Sequence, residues 1–179
     1  HTDIVCPMYA YPDRLKTYSS KPQTRPYILC EYQHAMGNSN GNFREYFNII
    51  RSSKHMQGGF IWDWVDQGFK QQTADGRTYW GYGGDLGSYL YLNDENFCSN
   101  GLIAADRTPH PGLYEVKNVY APIQFTAVDA SKGIIAVENL FEFTALNNHA
   151  FQWEVLRNGL SYAKGSFTVT AAPHTKQTV

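Results

Sequence analysis

The sequence predicts an α/β fold over roughly its first two thirds, followed by the start of a β-sandwich. In the first part, short apolar runs alternate with loops and an amphipathic helical stretch, which is typical of a parallel sheet. Beyond Pro122 the apolar residues fall in short runs separated by turn-forming residues, which is typical of antiparallel strands. We therefore predict two domains, residues 1–122 and 123–179.

The composition argues against several classes of partner. The 179 residues include 15 basic and 16 acidic side chains without a run of either, which disfavours nucleic-acid and membrane-surface partners. No stretch approaches the roughly 18 consecutive apolar residues of a membrane span. Aromatic residues make up 15%, which suits either contact with the apolar faces of sugar rings or a large aromatic core. Three scattered cysteines, Cys6, Cys30 and Cys98, lack zinc-ligand spacing and are interpreted as buried thiols.

Both ends of the chain look cut. The sequence opens at His1 instead of Met, runs at once into a strand-like stretch, and ends in polar residues. We therefore expect a piece of a longer protein. Its compartment, bacterial cytoplasm or periplasm, is left open.

The first elements in order are a strand, a short helix and a second strand. Ile4–Met8 is predicted as a buried strand with Tyr9 at its end, and a polar loop with a short helix around Asp13–Tyr18 follows. Tyr27–Cys30 is an apolar run of the kind that parallel sheets bury on both faces, and it ends at Glu31. Glu31 therefore sits at the carboxyl end of a strand, where α/β proteins bind their ligands.

A helix and a third strand come next. Asn38 and Ser39 are predicted as helix caps, and apolar residues then follow at i, i+3, i+4 and i+7, namely Phe43, Tyr46, Phe47 and Ile50. Phe60 and Ile61 form the predicted third strand, whose end delivers Trp62, Asp63 and Trp64.

Three successive strands thus deliver Tyr9, Glu31 and Trp62 to one edge of the predicted sheet. Each residue has a structural alternative when taken singly. Glu31 could end a strand and pair with a helix, Tyr9 could be a core tyrosine, and Trp62 could serve packing. Together they describe a sugar site, with a carboxylate to attack, a phenol to hold it and an indole floor.

The stretch Gly68–His110 is predicted as a long, ordered loop. Within it, 96–101 offers oxygen atoms that suit a hard monovalent cation or sugar hydroxyls, although such a cluster is also ordinary turn chemistry. A helix is predicted from Gly112 to Tyr120, with Leu113, Val116 and Tyr120 on one face.

The tail is predicted as about half of an immunoglobulin-like β-sandwich with a structural role. Turn signals lie at 129–133, 147–148 and Asn158-Gly159, the last a strong hairpin signal. The predicted strands are Phe125–Val128, Ile134–Glu138, Phe141–Ala145, Phe151–Leu156 and Ser166–Thr170.

Six strings follow one another in the sequence, namely HTDIVCPMYA, RPYILCEYQHAMGNSNG, QGGFIWDWVDQG, YGGD, NFCSNGL and ADRTPHPGLYEVK. Their order and spacing resemble those of the large bacterial β-galactosidases of glycoside hydrolase family 2. The resemblance is dense over residues 1–123 and looser beyond. It implies a catalytic (β/α)₈ barrel followed by a β-sandwich, of which this chain would hold the last three barrel strands and the first part of the next domain.

The resemblance also implies roles for single residues. Glu31 matches the nucleophile that forms a covalent galactosyl-enzyme in the retaining mechanism, and Tyr9 matches a tyrosine that hydrogen-bonds it. His34 matches a galactose-binding histidine and Trp62 the aromatic floor beneath the sugar. Two groups, the Phe97 carbonyl and the Asn100 side chain, match part of a sodium site beside the galactose 6-hydroxyl. Asp94, Asn96 and His110 lie near the site by position, without an assigned role.

Other parts of the family's site have no match here. The general acid/base, the Mg²⁺ ligands around it and a further sodium ligand all lie upstream of His1 in the family. The carboxylate pair in Asn93-Asp94-Glu95 does not match the motif of the acid. We therefore expect a parent that hydrolyses terminal β-galactosides, assembled as a homo-oligomer, and a chain that is inactive alone.

Two alternatives remain beside the β-galactosidase. The first is a sister activity on the same scaffold, such as a β-glucuronidase or β-mannosidase. The second is a non-catalytic carbohydrate-binding or structural protein that kept the fold, which would require a parent without the upstream acid.

Overall fold

The computed structural model describes residues 2–88 and 90–179. The chain divides into two compact units, His1–Val119 and Tyr120–Val179. The predicted domain boundary after residue 122 stays a prediction, because compactness alone does not make either unit an independent domain. The helices are α1 (Pro12–Ser19), α2 (Phe43–Arg51) and α3 (Pro111–Tyr120), and the strands are β1 (Tyr27–Tyr32), β2 (Met56–Ile61), β3 (Phe69–Gln72), β4 (Thr78–Gly81), β5 (Ile123–Asp129), β6 (Ile134–Asn139), β7 (Ala150–Arg157), β8 (Leu160–Thr168) and β9 (Lys176–Thr178).

Strand β1 lies in the middle of the parallel part of the first unit. Its Leu29 is paired with Gly59 of β2, which confirms the two predicted parallel strands. On its other side β1 forms parallel bridges with Val5 and Met8. Over residues 2–88 and 90–179 these strands do not close into a barrel.

The prediction of a buried strand at Ile4–Met8 is wrong in two respects. The segment pairs with β1 only through isolated bridges, and its side chains are open to solvent, with Ile4 45% and Met8 61% exposed. Within the described ranges no strand covers its outer edge. For the same reason Cys6 is exposed, so the expectation of three buried thiols is wrong for this residue, while Cys30 and Cys98 are half-buried.

Helix α2 confirms the predicted helix but not its cap. Phe43, Tyr46 and Ile50 are buried, as their spacing predicts. The cap position is Asn42, whose φ of 61° is left-handed and whose side chain makes no capping bond. The predicted cap Ser39 instead donates to the Met36 carbonyl at 2.6 Å and closes the preceding turn.

The core of the first unit forms where α1, α2 and α3 pack beside β1 and β2. Leu29, Tyr32 and Phe43 are fully buried, and complete burial of such a side chain contributes about 1.5–3 kcal/mol. Strand β2 approaches closely because Gly59 has no side chain; a Cβ there would lie 2.9 Å from the Leu29 Cβ. Buried hydrophobic residues of this core are Ala10, Leu15, Tyr27, Leu29, Tyr32, Ala35, Phe43, Tyr46, Ile49, Ile50, Met56, Leu102, Val116 and Val119.

The stretch Gly68–His110 is not a loop throughout. Strands β3 and β4 form an antiparallel hairpin whose tip is closed by the Thr73 N–H, which donates to the Arg77 carbonyl at 2.9 Å. The prediction missed it because each strand has only four residues, too few to establish alternation.

Helix α3 starts at Pro111, one residue before the predicted start. Val116 is buried as predicted, but Val119 takes the buried position expected for Tyr120, which is 38% exposed. The Arg51 guanidinium at the end of α2 donates to the Val119 carbonyl at 2.7 Å and ties the two helices together.

The second unit holds a three-stranded antiparallel sheet, β5-β6-β9, and the hairpin β7-β8. Phe151 and Phe167 of the hairpin pack against a core that includes Val137 of the sheet. The predicted hairpin turn is confirmed, since Asn158 and Gly159 both have positive φ, 51° and 80°.

Three details of this unit differ from the prediction. Phe141–Ala145 is not a strand; the fully buried Asn139 accepts from the Phe141 N–H and holds the segment as a bend. The predicted strand Ser166–Thr170 is the end of the longer β8. Strand β9 was missed because Lys176–Thr178 carries no apolar signal.

Candidate active site

Glu31 and Tyr9 meet at the carboxyl end of β1. The Tyr9 backbone N–H donates to the Glu31 carbonyl at 2.8 Å, and the Tyr9 phenol lies beside the Glu31 carboxylate. Tyr9 has a left-handed φ of 49°, the turn at which its chain segment leaves β1. Partial burial and the neighbouring Glu31 carboxylate raise the pKa of the Tyr9 phenol well above its usual value. The phenol is therefore a protonated donor that faces the carboxylate.

His34 follows β1 after a sharp turn at Gln33, whose φ is 54°. Its ring centroid lies 6.1 Å from that of Tyr9, edge to face, and 5.5 Å from that of Phe97, stacked. The Nε2 atom of His34 is buried and has no hydrogen-bond partner among the described residues. A buried imidazole nitrogen that lacks a partner can bind a hydroxyl group brought by a ligand.

Trp62 follows β2, and its backbone is hydrogen-bonded to residues at and just after the end of β1. Its N–H donates to the Tyr32 carbonyl at 3.2 Å, and its own carbonyl accepts from the Ala35 N–H at 2.8 Å. The peptide bond between Trp62 and Asp63 is cis. The indole is 40% exposed, so its face is free to contact a ligand.

Asn100 is the most deeply buried polar residue of this region, at 2% exposure. Its Nδ2 donates to the Phe97 carbonyl at 2.9 Å, while its Oδ1 is buried without a partner among the described residues. Its carbonyl accepts from the Asp63 N–H at 2.7 Å, directly after Trp62. An unpaired amide oxygen close to a backbone carbonyl fits a hard monovalent cation, which prefers oxygen ligands.

A cavity of about 310 Å³ opens between these elements, at the lower end of the range for small-molecule sites. Three of the predicted site residues, Trp62, Phe97 and Asn100, line it, whereas Tyr9, Glu31 and His34 are not among its lining residues. Gln67 also lines it and was not predicted; it donates to the Asp63 carboxylate at 2.5 Å. Its only signal in the sequence is its position four residues after Asp63.

The structure thus brings all six predicted site residues into one connected group. Glu31 accepts a hydrogen bond from the Tyr9 backbone, the Tyr9 ring lies edge to face with the ring of His34, and His34 stacks on Phe97. The Phe97 carbonyl accepts a hydrogen bond from the Asn100 side chain, and the Asn100 carbonyl accepts one from the N–H of Asp63, the residue after Trp62. The chemical role of each residue stays a prediction.

Two further observations bear on the predicted partners. In residues 2–88 and 90–179 no group of three or more His, Cys, Asp and Glu side chains is arranged to hold a metal ion. No helix in the same ranges is long and apolar enough to cross a bilayer.

The chain matches known proteins along most of its length. The profile described as "Glycosyl hydrolases family 2, TIM barrel domain" matches residues 2–125. The chain is 44% identical over 188 residues to a protein of Enterobacter cloacae named "Beta-galactosidase", covering 98% of this chain and 18% of that protein. It is 46% identical over 172 residues to a "Beta-galactosidase" of Priestia megaterium, covering 96% of this chain and 16% of that one.

Among solved structures, a Bacteroides uniformis β-glucuronidase covers 99% of this chain and 25% of its own, at 13% identity. Its TM-score of 0.39 is too low for an argument to rest on it. The chain spans less than a fifth of the length of the curated relatives it matches. With a family profile that covers more than half of its residues, the chain belongs to glycosyl hydrolase family 2.

Proposed function

We propose that this chain is the nucleophile-bearing part of a retaining β-galactosidase, which hydrolyses terminal non-reducing β-D-galactose residues. The observation that carries the proposal is the position of Glu31 at the end of β1, where the Tyr9 backbone N–H donates to its carbonyl at 2.8 Å and the Tyr9 phenol lies beside its carboxylate. A glutamate attacks as its carboxylate, and a protonated phenol beside it can orient that carboxylate.

In the proposed reaction the Glu31 carboxylate attacks the anomeric carbon, and the bond to the leaving-group oxygen breaks. The leaving group takes its proton from a general acid, which we place upstream of this chain. The deprotonated acid then takes a proton from a water molecule, which attacks the same carbon, releases Glu31 as its carboxylate and restores the original configuration. Tyr9 orients the carboxylate, His34 binds a sugar hydroxyl and Trp62 packs under the ring.

The proposed architecture is that of the family. The first unit would supply the last three strands of a (β/α)₈ barrel, and the second unit would begin an immunoglobulin-like sandwich. In this arrangement Tyr9, Glu31 and Trp62 come from neighbouring strand ends, where barrel enzymes place their catalytic residues. The parent would assemble as a homo-oligomer.

Two metal ions belong to the proposal. Na⁺ would be held in part by the Phe97 carbonyl and by the Asn100 Oδ1, which has no hydrogen-bond partner in the described part of the chain. When bound, it would contribute a positive charge beside a sugar hydroxyl. The ligands of Mg²⁺ and the general acid would lie upstream, so we expect this chain to be inactive by itself.

The choice of galactose rests on the relatives named "Beta-galactosidase" at 44% and 46% identity. A β-glucuronidase or β-mannosidase on the same scaffold would use Glu31 in the same way and differ in the sugar. A non-catalytic carbohydrate-binding protein would keep the fold and form no covalent intermediate.

The test is trapping of the full-length protein with a 2-fluoro-galactosyl inhibitor, followed by mass spectrometry of its peptides. We expect a galactosyl adduct on Glu31, and none in Glu31→Gln. Glu45→Gln changes an exposed carboxylate at the start of α2 and serves as the matched control. Turnover with an adduct elsewhere would overturn the assignment of Glu31, while no turnover and no adduct would favour the non-catalytic alternative.

A further inference from the structure

Gly101 is held on both sides of its backbone by two side chains that the proposed mechanism does not use. Its N–H donates to Asp66 Oδ1 at 2.7 Å, and its carbonyl accepts from His110 Nδ1 at 2.9 Å. A carbonyl can only accept, so the second bond fixes the proton of His110 on Nδ1. The remaining atoms of the two side chains, Asp66 Oδ2 and His110 Nε2, lie 3.7 Å apart.

These side chains join two segments that run side by side. The Asp63 N–H donates to the Asn100 carbonyl at 2.7 Å, the Leu102 N–H to the Asp63 carbonyl at 3.0 Å, and the Asp66 N–H to the Ile103 carbonyl at 2.9 Å. One segment begins directly after Trp62, and the other begins with Asn100. The contact between the segments therefore sets the distance between the aromatic floor and the buried amide.

The contact at Gly101 leaves no room for a side chain. A Cβ on it would lie 2.2 Å from the Asp66 nitrogen and 2.4 Å from the Val65 carbonyl carbon. The backbones can approach this closely only at a glycine, and a glycine has no side chain of its own to hold its orientation. Asp66, whose side chain is 18% exposed, and His110 supply that restraint from outside.

We infer that Asp66 and His110 are positioning residues that fix Asn100 against Trp62. The inference rests on the proposed function for the identity of the ligand. Neither side chain touches the cavity described above, so both act through the backbone of Gly101. Since Asn100 and Trp62 contact the sugar before and during the reaction, their displacement weakens the binding of substrate and transition state alike.

The experiment compares Asp66→Ala and His110→Ala in the full-length protein, with β-galactosides as substrates. For each variant we expect KM to rise on the order of tenfold while kcat stays within about threefold, as for a loss of uniform binding. Asp66→Asn keeps an oxygen that can accept the Gly101 N–H, and His110→Asn keeps an N–H near the position of Nδ1. Both conservative variants should return KM toward the wild-type value.

Asp75→Ala is the matched control, because Asp75 is an exposed carboxylate that pairs with Arg77 at the tip of the β3–β4 hairpin. A second readout does not depend on turnover. Amide hydrogen exchange over 100–103 should accelerate in both alanine variants and remain at the wild-type rate in the control.

The outcomes separate the two proposals. If the wild-type protein forms no galactosyl adduct, the proposed function fails, and the exchange rates still test the restraint on Gly101. If the wild type reacts normally but the alanine variants match Asp75→Ala in KM and in exchange, the positioning role is overturned. A fall in kcat with unchanged KM would overturn it as well. Should Asp66→Ala fail to fold, His110→Ala makes the same test at a half-buried side chain.

Discussion

The Tyr9 backbone is hydrogen-bonded to Glu31, and the Tyr9 phenol lies beside the Glu31 carboxylate. The backbone N–H of Tyr9 donates to the Glu31 carbonyl at 2.8 Å, and the carboxylate contributes to the raised pKa of the phenol. The backbone hydrogen bond fixes the position of the Tyr9 Cα atom. Only the side-chain torsions of Tyr9 then remain to be ordered for the phenol to lie beside the carboxylate. This relationship links the edge of the parallel sheet directly to the proposed chemistry.

Tyr9→Phe in the full-length protein is expected to lower kcat on the order of 10²-fold. The substitution removes a hydrogen-bond donor beside the carboxylate, which is charged in the resting enzyme and changes its charge in the transition state. Circular dichroism should be unchanged, since the ring remains. Tyr11→Phe, at a tyrosine that is 80% exposed, is the control. A kcat equal to that of the control would contradict the orienting role of Tyr9.

The raised pKa of Tyr9 gives a prediction for the pH profile. Because burial and the neighbouring carboxylate raise the pKa of the phenol above the ordinary tyrosine value of about 10, the phenol keeps its proton at every pH below that value. The profile of kcat/KM should therefore have the same shape in wild type and in Tyr9→Phe up to about pH 9.5. An alkaline limb below about pH 9 that disappears in the variant would contradict this assignment.

Asn100→Ala tests the proposed sodium site. The variant removes the one buried amide oxygen without a described partner and should raise the NaCl concentration for half-maximal rate on the order of tenfold. The measurement is a titration with NaCl at constant ionic strength, with choline chloride as the balancing salt. Asn93→Ala, in the neighbouring loop, is the comparison. An unchanged sodium requirement would remove Asn100 from the site.

Gly101→Ala should destabilise the protein by about 3 kcal/mol or more, because the added methyl meets backbone atoms that cannot turn aside. Gly87→Ala is the comparison, since its φ of −174° is not left-handed and no atom lies within 4 Å of the added Cβ. Thermal unfolding of both variants checks the difference. Equal melting temperatures would show that the Asp66–Ile103 region can relax.

Leu29→Ala removes a fully buried side chain from the centre of β1 and should cost about 2–5 kcal/mol of the free energy of unfolding. Leu92→Ala changes a fully exposed leucine and should cost less than about 0.5 kcal/mol. Denaturant unfolding of the two variants measures the difference. A small loss of unfolding free energy in Leu29→Ala would show that the core is not centred on β1.

The sequence predicted the site because its residues stand at strand ends. An apolar run followed by a carboxylate or an aromatic residue is a local pattern, and Glu31 and Trp62 were identified by it. His34 and Asn100 came from the resemblance alone, since neither has a distinctive local pattern. The stacking of His34 on Phe97 joins residues 63 positions apart and could not be foreseen from spacing.

The parts of the fold that were missed are those that depend on tertiary contact. Asn42 begins α2 in a left-handed conformation without a capping bond, so its side-chain chemistry gave no signal. Strand β9 contains Lys176, Gln177 and Thr178 and owes its pairing to β6, not to its own propensity. The exposure of Met8 depends on which segments cover the sheet edge, which no local pattern reports.

The pairing of 63–66 with 100–103 has a consequence for protein engineering. The two ends of the intervening stretch are fixed side by side, so a change of length at the tip of the β3–β4 hairpin need not displace Trp62 or Asn100. The tip at Asp75-Gly76 is exposed and lies outside the cavity. A tag or a small domain inserted there would be carried on a hairpin already anchored at its base, which makes this tip the natural point of attachment on the chain.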